Sequence, residues 1–337
     1  MIDLNKIVII IPALNPNEKV ISLVKDLKKE GLNNIIVIDD GSDTKSKKIF
    51  QILKKEENIS VYENEKNFGK GKTLKIGIQK VVDNDILGVV TVDADGQHLA
   101  SDARKVAEKL KDGKIVIGER CLKKGVPFFS KIGNLFSSFY LKMYSGVYLE
   151  DTQTGLRGIP KKYLDFALNI DGERFDYEMN FLKKACREKM ELELVRIETI
   201  YENRTRTFRI FKDSYIIYKD FLKNIISSII SAIIDILLFL MFVECNVPIF
   251  YSNVIARIIS GVCDFSINKR WVFKGSRTNN FKKFYKYSIL FFIQMILNSC
   301  IVTIFSYYYE NLLILKILIN FIIYIINFYI KKIYIFK

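Results

Sequence analysis

Apolar and polar positions divide the chain into two regimes. Through roughly the first 220 residues, short apolar runs alternate with segments in which charged and apolar residues mix. The runs at 7–11, 34–39, 59–62, 87–92 and 114–117 are short, rich in Ile and Val, and bounded by turn-forming residues, which predicts buried strands. The segments near 17–29, 44–56, 70–83 and 100–111 predict helices between them. Such alternation predicts an α/β fold: a mostly parallel sheet with helices on both faces. The first run is only a few residues long ahead of Pro12 and has no cleavage-site pattern, so it reads as a core strand rather than a signal peptide.

Beyond about residue 220, Ile, Leu, Phe and Tyr dominate. Stretches at about 221–243, 249–267, 286–308 and 312–335 approach the roughly 20 apolar residues a bilayer span requires, which predicts an all-α domain of four transmembrane helices. The connection between the second and third carries Lys269, Arg270, Lys274, Arg277, Lys282, Lys283 and Lys286 with no acid, whereas the 244–248 and 309–312 turns carry no Lys or Arg. The positive-inside rule puts that basic connection, the N-terminal domain and Lys337 on the cytoplasmic side of the cell (inner) membrane. The expected domains are therefore 1–202, a bridging segment 203–220, and 221–337.

In the bridge, Phe208, Phe211, Tyr215, Tyr218 and Leu222 recur at three- and four-residue spacing, with Arg204, Arg206, Arg209 and Lys212 nearby. This reads as an interfacial helix on the inner leaflet, with an amphipathic helix packed on the domain as the competing reading. The net charge of +15 is then assigned to inner-leaflet anchoring and not to nucleic-acid binding. The five cysteines show no CxxC spacing, in keeping with a reducing compartment. Asp235 lies about 14 residues into the first span and Arg257 about 8 into the second, at comparable depths. An unpaired mid-span charge costs about 2.5–3.5 kcal/mol, so the two are expected to pair, either structurally or as part of a lipid-handling path.

Candidate chemistry gathers at the strand ends of the N-terminal part, where open α/β sheets bind ligands. The run 88–92 ends in Asp93-Ala94-Asp95-Gly96-Gln97-His98, two hard oxygen donors suited to Mg²⁺ or Mn²⁺ bound with phosphates, or alternatively an Asp-Gly turn. Asp39 or Asp40, in Asp39-Asp40-Gly41-Ser42, is able to accept from a base or ribose. In Asn67-Phe68-Gly69-Lys70-Gly71-Lys72 the glycines permit close backbone approach, and Lys70 or Lys72 adds positive charge at a helix start.

Taken together, these motifs resemble family 2 glycosyltransferases of the GT-A fold. The resemblance rests on Ile11-Pro12-Ala13-Leu14-Asn15, Asp39 to Ser42, Asn67 to Gly71 and Asp93 to Asp95, and runs over about residues 5–215. Ala94 to His98, Gly118-Glu119-Arg120 and Asp151-Thr152-Gln153-Thr154-Gly155-Leu156-Arg157 resemble the branch that glycosylates polyprenyl phosphates. Relatives often read Tyr-Asn-Glu where this chain has Leu14-Asn15-Pro16, so the aromatic and acidic base contacts of those relatives are missing. The segment 264–273, Asp-Phe-Ser-Ile-Asn-Lys-Arg-Trp-Val-Phe, looks like the close of the second span in GtrA-like four-span proteins. A partial echo at 327–336 suggests a duplicated helix pair.

The resemblance implies an inverting transferase moving a sugar from a UDP-glucose or GDP-mannose type donor to a polyprenyl phosphate, with a membrane domain that presents or helps flip the product. It implies donor contacts from Pro12, Ala13, Asn15, Val37, Asp39, Asp40, Lys70, Asp93, Ala94 and Arg120. Metal ligation falls to Asp95 with Gln97 and Asp93, and the acceptor phosphate to Arg157, Arg204 and Arg206. Asp93, Asp95, Arg120 and Arg157 are the expected catalytic set, while His98, the only histidine, is a candidate base or ligand that reads better as structural. Expected partners are the donor, the acceptor and membrane lipid, with no nucleic acid; a homo-oligomer is left open. A processive polysaccharide synthase would carry Gln-x-x-Arg-Trp, and Ile267 stands where the Gln is required before Arg270-Trp271. A translocation or scaffold protein with a vestigial transferase fits less well, because the acids and glycines are all retained.

Overall fold

The structure is a computed structural model that describes residues 2–120, 128–198, 210–267, 281–309 and 311–334. It divides into two units, Met1–Ile217 and Tyr218–Lys337. The division falls inside the expected bridge.

The first unit is built on seven strands: β1 (Ile7–Ala13), β2 (Ile35–Asp39), β3 (Ile59–Glu63), β4 (Gly88–Thr91), β5 (Ile115–Arg120), β6 (Arg157–Pro160) and β7 (Leu192–Ile197). Their order in the sheet is β3-β2-β1-β4-β6-β5-β7, and every pairing is parallel except the two made by β6. The helices are α1 (Lys19–Lys29), α2 (Lys47–Leu53), α3 (Lys70–Gln79), α4 (Ala100–Lys109), α5 (Phe128–Ser145), α6 (Leu164–Leu168) and α7 (Asp176–Arg187).

Successive side chains of a strand point to opposite faces, so the uninterrupted Ile-Val run of β1 feeds two cores. Ile7, Ile9 and Ile11 pack with Leu23, Leu27, Phe50 and Val106 on one face. Val8 and Ile10 pack with Leu74, Ile78 and Phe181 on the other. The first five predicted strands and the mostly parallel sheet are present. The sequence reading did not include β6, β7 or α5–α7.

The second unit holds α8 (Ile210–Glu244) from Tyr218 onward, α9 (Ile249–Ile267), α10 (Phe281–Ser306) and α11 (Leu312–Tyr334). Four helices were expected, and four are described. The bridge from 210 onward is helical and continuous with the first predicted span; 203–209 lie outside the described residues. Among the described residues, Ile226–Glu244 (mean hydropathy 2.6) is the stretch long and apolar enough to cross a membrane, while Ile249–Cys263, Phe291–Ser306 and Leu312–Ile323 are shorter apolar helices. The unit has the reverse of a soluble protein's polarity. Leu237, Val262, Leu297 and Phe321 are more than half exposed, whereas Asp235, Asn253, Asn298 and Lys316 are buried.

Candidate active site

The carboxyl ends of β1, β2 and β4 carry the predicted site residues to one edge of the sheet. Asn15 follows β1 in the left-handed region, φ 48°. Its N–H donates to Ser42 Oγ at 2.8 Å, and its side-chain oxygen accepts from Asp43 N–H at 2.8 Å, so the loops after β1 and β2 are laced together. Asp39 closes β2 and accepts the Ser42 N–H at 2.7 Å. Pro12 and Ala13 are the last residues of β1, whose Cα partners are Ile38 and Asp39.

Two of the expected donor contacts have other work in the structure. Val37 is fully buried among the core side chains beneath the β1–β2 edge, because alternation along β2 turns it inward. Asp40 accepts from Phe68 N–H and Gly69 N–H, both at 2.9 Å, and from Asn64 Nδ2 at 3.1 Å. It braces the 67–69 loop, and its carboxylate is occupied by that loop.

The brace sets the start of α3. Lys70, its first residue, places Nζ 2.6 Å from Asp93 Oδ1 and 2.9 Å from Glu178 Oε1. Glu178 comes from α7, whose start is docked on α3: Lys72 N–H donates to Glu173 O at 2.9 Å. A Cβ on Gly71 would lie 2.4 Å from Tyr177 Cβ, so only glycine permits this approach. Burial disfavours charge on Lys70 and Asp93. Their mutual attraction outweighs it, aided by Glu178 for the lysine and by His98 for the acid, so Lys70 is raised and Asp93 held far below the usual carboxylate range.

His98 is buried with Nε2 3.7 Å from Asp93 Oδ2, and its Nδ1 has no hydrogen-bond partner. Gly155, missed by sequence reasoning, backs Asp93 from the other side: a Cβ there would meet Asp93 Oδ2 at 2.1 Å. Thr91 Oγ fixes the Gly155 carbonyl at 2.7 Å.

Asp95 differs from Asp93. It accepts the Gln97 N–H at 3.0 Å, and burial followed by the charge of Asp93 pushes its carboxyl up. An added positive charge would therefore favour its ionised form. Mg²⁺ and Mn²⁺ suit such a place, because they use one or two carboxylates and take their other ligands from phosphate and water. Among the described residues no three ligating side chains are gathered into a cage. Asp95 thus fits as the principal protein ligand, with Asp93 already engaged by Lys70.

The arginines separate. Arg120, at the end of β5, is gripped by buried Asp151 through Nε at 2.5 Å and Nη2 at 2.9 Å. The 151–155 loop is in turn held by α5, where Asn134 Oδ1 accepts Thr152 N–H at 3.1 Å. Arg157 departs from the expected phosphate contact. It is 4% exposed and donates to the carbonyls of Thr154 (3.1 Å), Glu178 (2.8 Å) and Thr152 (3.3 Å), which makes it the clamp between this loop and α7. Arg204 and Arg206 lie outside the described residues.

Residues 8–164 match the profile of Glycosyl transferase family 2, and residues 223–336 match that of the GtrA/DPMS transmembrane domain. An uncharacterised protein of Methanocaldococcus jannaschii is 32% identical over 59% of this chain and 84% of its own length. The chain belongs to glycosyltransferase family 2. A second relative of this family 2 enzyme, from Methanococcus voltae, is named UDP-N-acetylglucosamine–dolichyl-phosphate N-acetylglucosaminyltransferase; it is 31% identical over 58% of this chain and 86% of that protein. Glucosyl-3-phosphoglycerate synthase of Mycobacterium tuberculosis, solved with Mn²⁺, UDP and phosphoglyceric acid, overlaps 64% of this chain and 76% of that one, with 17% identity and a TM-score of 0.49. The enzyme is a glycosyltransferase with a membrane domain.

Proposed function

We propose that this glycosyltransferase moves a sugar from a nucleotide-sugar to a polyprenyl phosphate at the cytoplasmic leaflet, with inversion at the anomeric carbon. The observation that carries the reading is the joining in one chain of a family 2 catalytic half, akin to a protein named for transfer to dolichyl phosphate, and a GtrA/DPMS transmembrane half. The donors in view are UDP-glucose, GDP-mannose and, from the name of the relative, UDP-N-acetylglucosamine.

In this mechanism, Asp39 at the end of β2 receives the nucleoside while the laced loops at Asn15 and Ser42 shape its pocket. The carboxylates of Asp93, Asp95 and Glu178 against the one ammonium of Lys70 leave a formal charge of −2, which one divalent cation brings to zero. Mg²⁺ or Mn²⁺, when bound, supplies Lewis-acid stabilisation to the departing diphosphate. Lys70 and His98 fix Asp93, and Gln97 N–H fixes Asp95, so the acid loop is preorganised before the donor arrives.

The acceptor needs little activation. A phosphate monoester has a second pKa of about 6 and is mostly dianionic near neutral pH, so it attacks without a strong general base. Arg120, held in one orientation by Asp151, presents its guanidinium near this edge, and Arg204 and Arg206 are the further candidates for the acceptor phosphate. The basic connection 269–286 supports a multi-pass domain with its catalytic half in the cytoplasm.

The test is to incubate the purified full-length protein with polyprenyl phosphate and a panel of UDP- and GDP-sugars, with Mg²⁺ or Mn²⁺. A lipid-linked sugar is expected from one donor class. Failure with every donor sinks the proposal.

A further inference from the structure

Among the described residues, several buried polar groups of the helical unit form one connected cluster. Asp235 of α8 has Lys316 Nζ of α11 at 3.2 Å from Oδ2 and Arg257 Nε of α9 at 3.7 Å from Oδ1. Asn320 Nδ2 donates to Asp235 Oδ2 at 3.4 Å, and its own oxygen accepts from both Arg257 and Asn298 Nδ2, the latter at 3.0 Å. Asn253 Nδ2 extends the chain to Asn298 Oδ1 at 2.9 Å. The expected Asp235–Arg257 pair is present, but Lys316 joins it.

That third charge changes the electrostatics. Arg257 and Lys316 against Asp235 give +1, since two cations face one carboxylate. Among the described side chains of these helices the other carboxylate is Glu244, the last residue of α8, nine positions from Asp235 and about 13 Å along the axis. Asp264 stands two turns beyond Arg257 in α9, about 10 Å away along the axis. Arginine does not lose its proton, and Lys316 Nζ faces Asp235 Oδ2 at 3.2 Å and the Phe239 ring at 4.0 Å. An uncompensated charge in such an interior is costly, so the cluster lacks an anion.

The position for that anion is marked. Arg257 Nε has no hydrogen-bond partner, because 3.7 Å to Asp235 is too long for one. The Arg257 side chain is 25% exposed, whereas Asp235 and Lys316 are enclosed at 3% and 0%. The enclosed Nε faces Asp235 Oδ1, which is likewise without a hydrogen bond, so it is the exposed remainder of the guanidinium fork that suits a phosphate oxygen.

Arg257, Asn298 and Asn320 each lie eight residues from the helix end at the 244–249 or 306–312 turn, about 12 Å in, and Lys316, four residues into α11 or about 6 Å in, reaches the same cluster with its long side chain. We infer that this cluster, centred on Arg257 and Lys316, is an anion site for the phosphate group of a lipid, inside the helical unit and separate from the transferase site. It goes beyond the transfer reaction and does not depend on it.

Native mass spectrometry of the full-length chain in detergent, titrated with farnesyl phosphate, tests the inference, with farnesol, phosphatidylglycerol and inorganic phosphate as further probes. Wild type is expected to take up an equivalent of farnesyl phosphate that Arg257→Gln binds at least tenfold more weakly. Arg257→Lys, which keeps charge without the fork, is expected to fall between them. Asp235→Asn raises the formal charge to +2 and is expected to tighten binding, a direction that a purely structural ion pair does not produce.

Competition by phosphatidylglycerol as strong as by farnesyl phosphate identifies an ordinary bilayer lipid as the source. Competition by farnesyl phosphate alone identifies a polyprenyl lipid, and inorganic phosphate competing alongside either confirms that the phosphate is what is read. Equal binding by wild type and Arg257→Gln, uptake of farnesol as strong as of farnesyl phosphate, or weakening by Asp235→Asn overturns the inference. The last result also covers a neutral Lys316, for which the cluster needs no anion.

Discussion

Asp93 is fixed from three directions: Lys70 at 2.6 Å, His98 at 3.7 Å and the bare backbone of Gly155. Gly155→Ala is therefore a probe of the acid loop that removes no charge. Its methyl would overlap the carboxylate, so Asp93 has to turn away or the 151–155 loop has to back off. Turnover by the full-length enzyme is expected to fall at least about tenfold, roughly 1.4 kcal/mol in the barrier, with the fold retained. Wild-type turnover with an unchanged circular dichroism spectrum would refute the packing argument.

Lys70 makes a complementary case. Lys70→Met leaves Asp93 and Glu178 without their cation, at a cost of about 3–5 kcal/mol for breaking a buried pair. Adding Glu178→Gln removes one stranded charge, so the double variant should recover about 1–2 kcal/mol relative to the sum of the singles in urea unfolding. Strict additivity would mean that the two side chains do not interact in solution.

At the scale of elements, what the sequence revealed depended on whether a signal was local. The strands β1, β2 and β4 are short apolar runs ending in Pro or Asp, and the site motifs sit at their ends, so both were readable together. By contrast, in β7 the alternation of Leu192-Glu193-Leu194-Val195-Arg196-Ile197 breaks at Leu194-Val195, at a sheet edge where Leu194 and Arg196 are exposed, and β6 is four residues long inside a stretch whose strongest signal is a site motif. Glu178 was missed because its partner Lys70 is distant in the chain and meets it only through the docking of α7 on α3.

The same limit explains Asp40 and Arg157. Their motifs marked them as polar strand-end residues, and only the folded loops show that their hydrogen-bonding capacity goes to backbone. Asp40→Asn substitutes a donor for one acceptor facing Phe68 N–H and Gly69 N–H. It should cost about 1–3 kcal/mol and raise amide exchange at 67–70, with no change in which nucleotide is used. A switch of nucleotide preference without added exchange would restore Asp40 as a direct ligand contact.

For the whole molecule, the decisive fact is that the first unit has its own two-faced core while the membrane domain carries apolar residues outward. A fragment ending at Ile217 should therefore unfold cooperatively and bind the nucleotide-sugar with a Kd within about threefold of the full chain, roughly 0.6 kcal/mol. Its loss should lie with the acceptor. A membrane-anchored catalyst meets a bilayer-bound lipid at the high effective concentration that tethering provides, whereas a freely diffusing domain meets it at its bulk concentration. On vesicles containing a long-chain polyprenyl phosphate the full chain should outpace the fragment by about 10²-fold or more. With a short, water-soluble polyprenyl phosphate the advantage should collapse towards unity, because neither enzyme then shares a surface with its acceptor. Equal rates on vesicles would show that the membrane domain does not deliver acceptor to the transferase. An undiminished advantage on the soluble acceptor would instead mean that it contributes to the chemistry of the catalytic half.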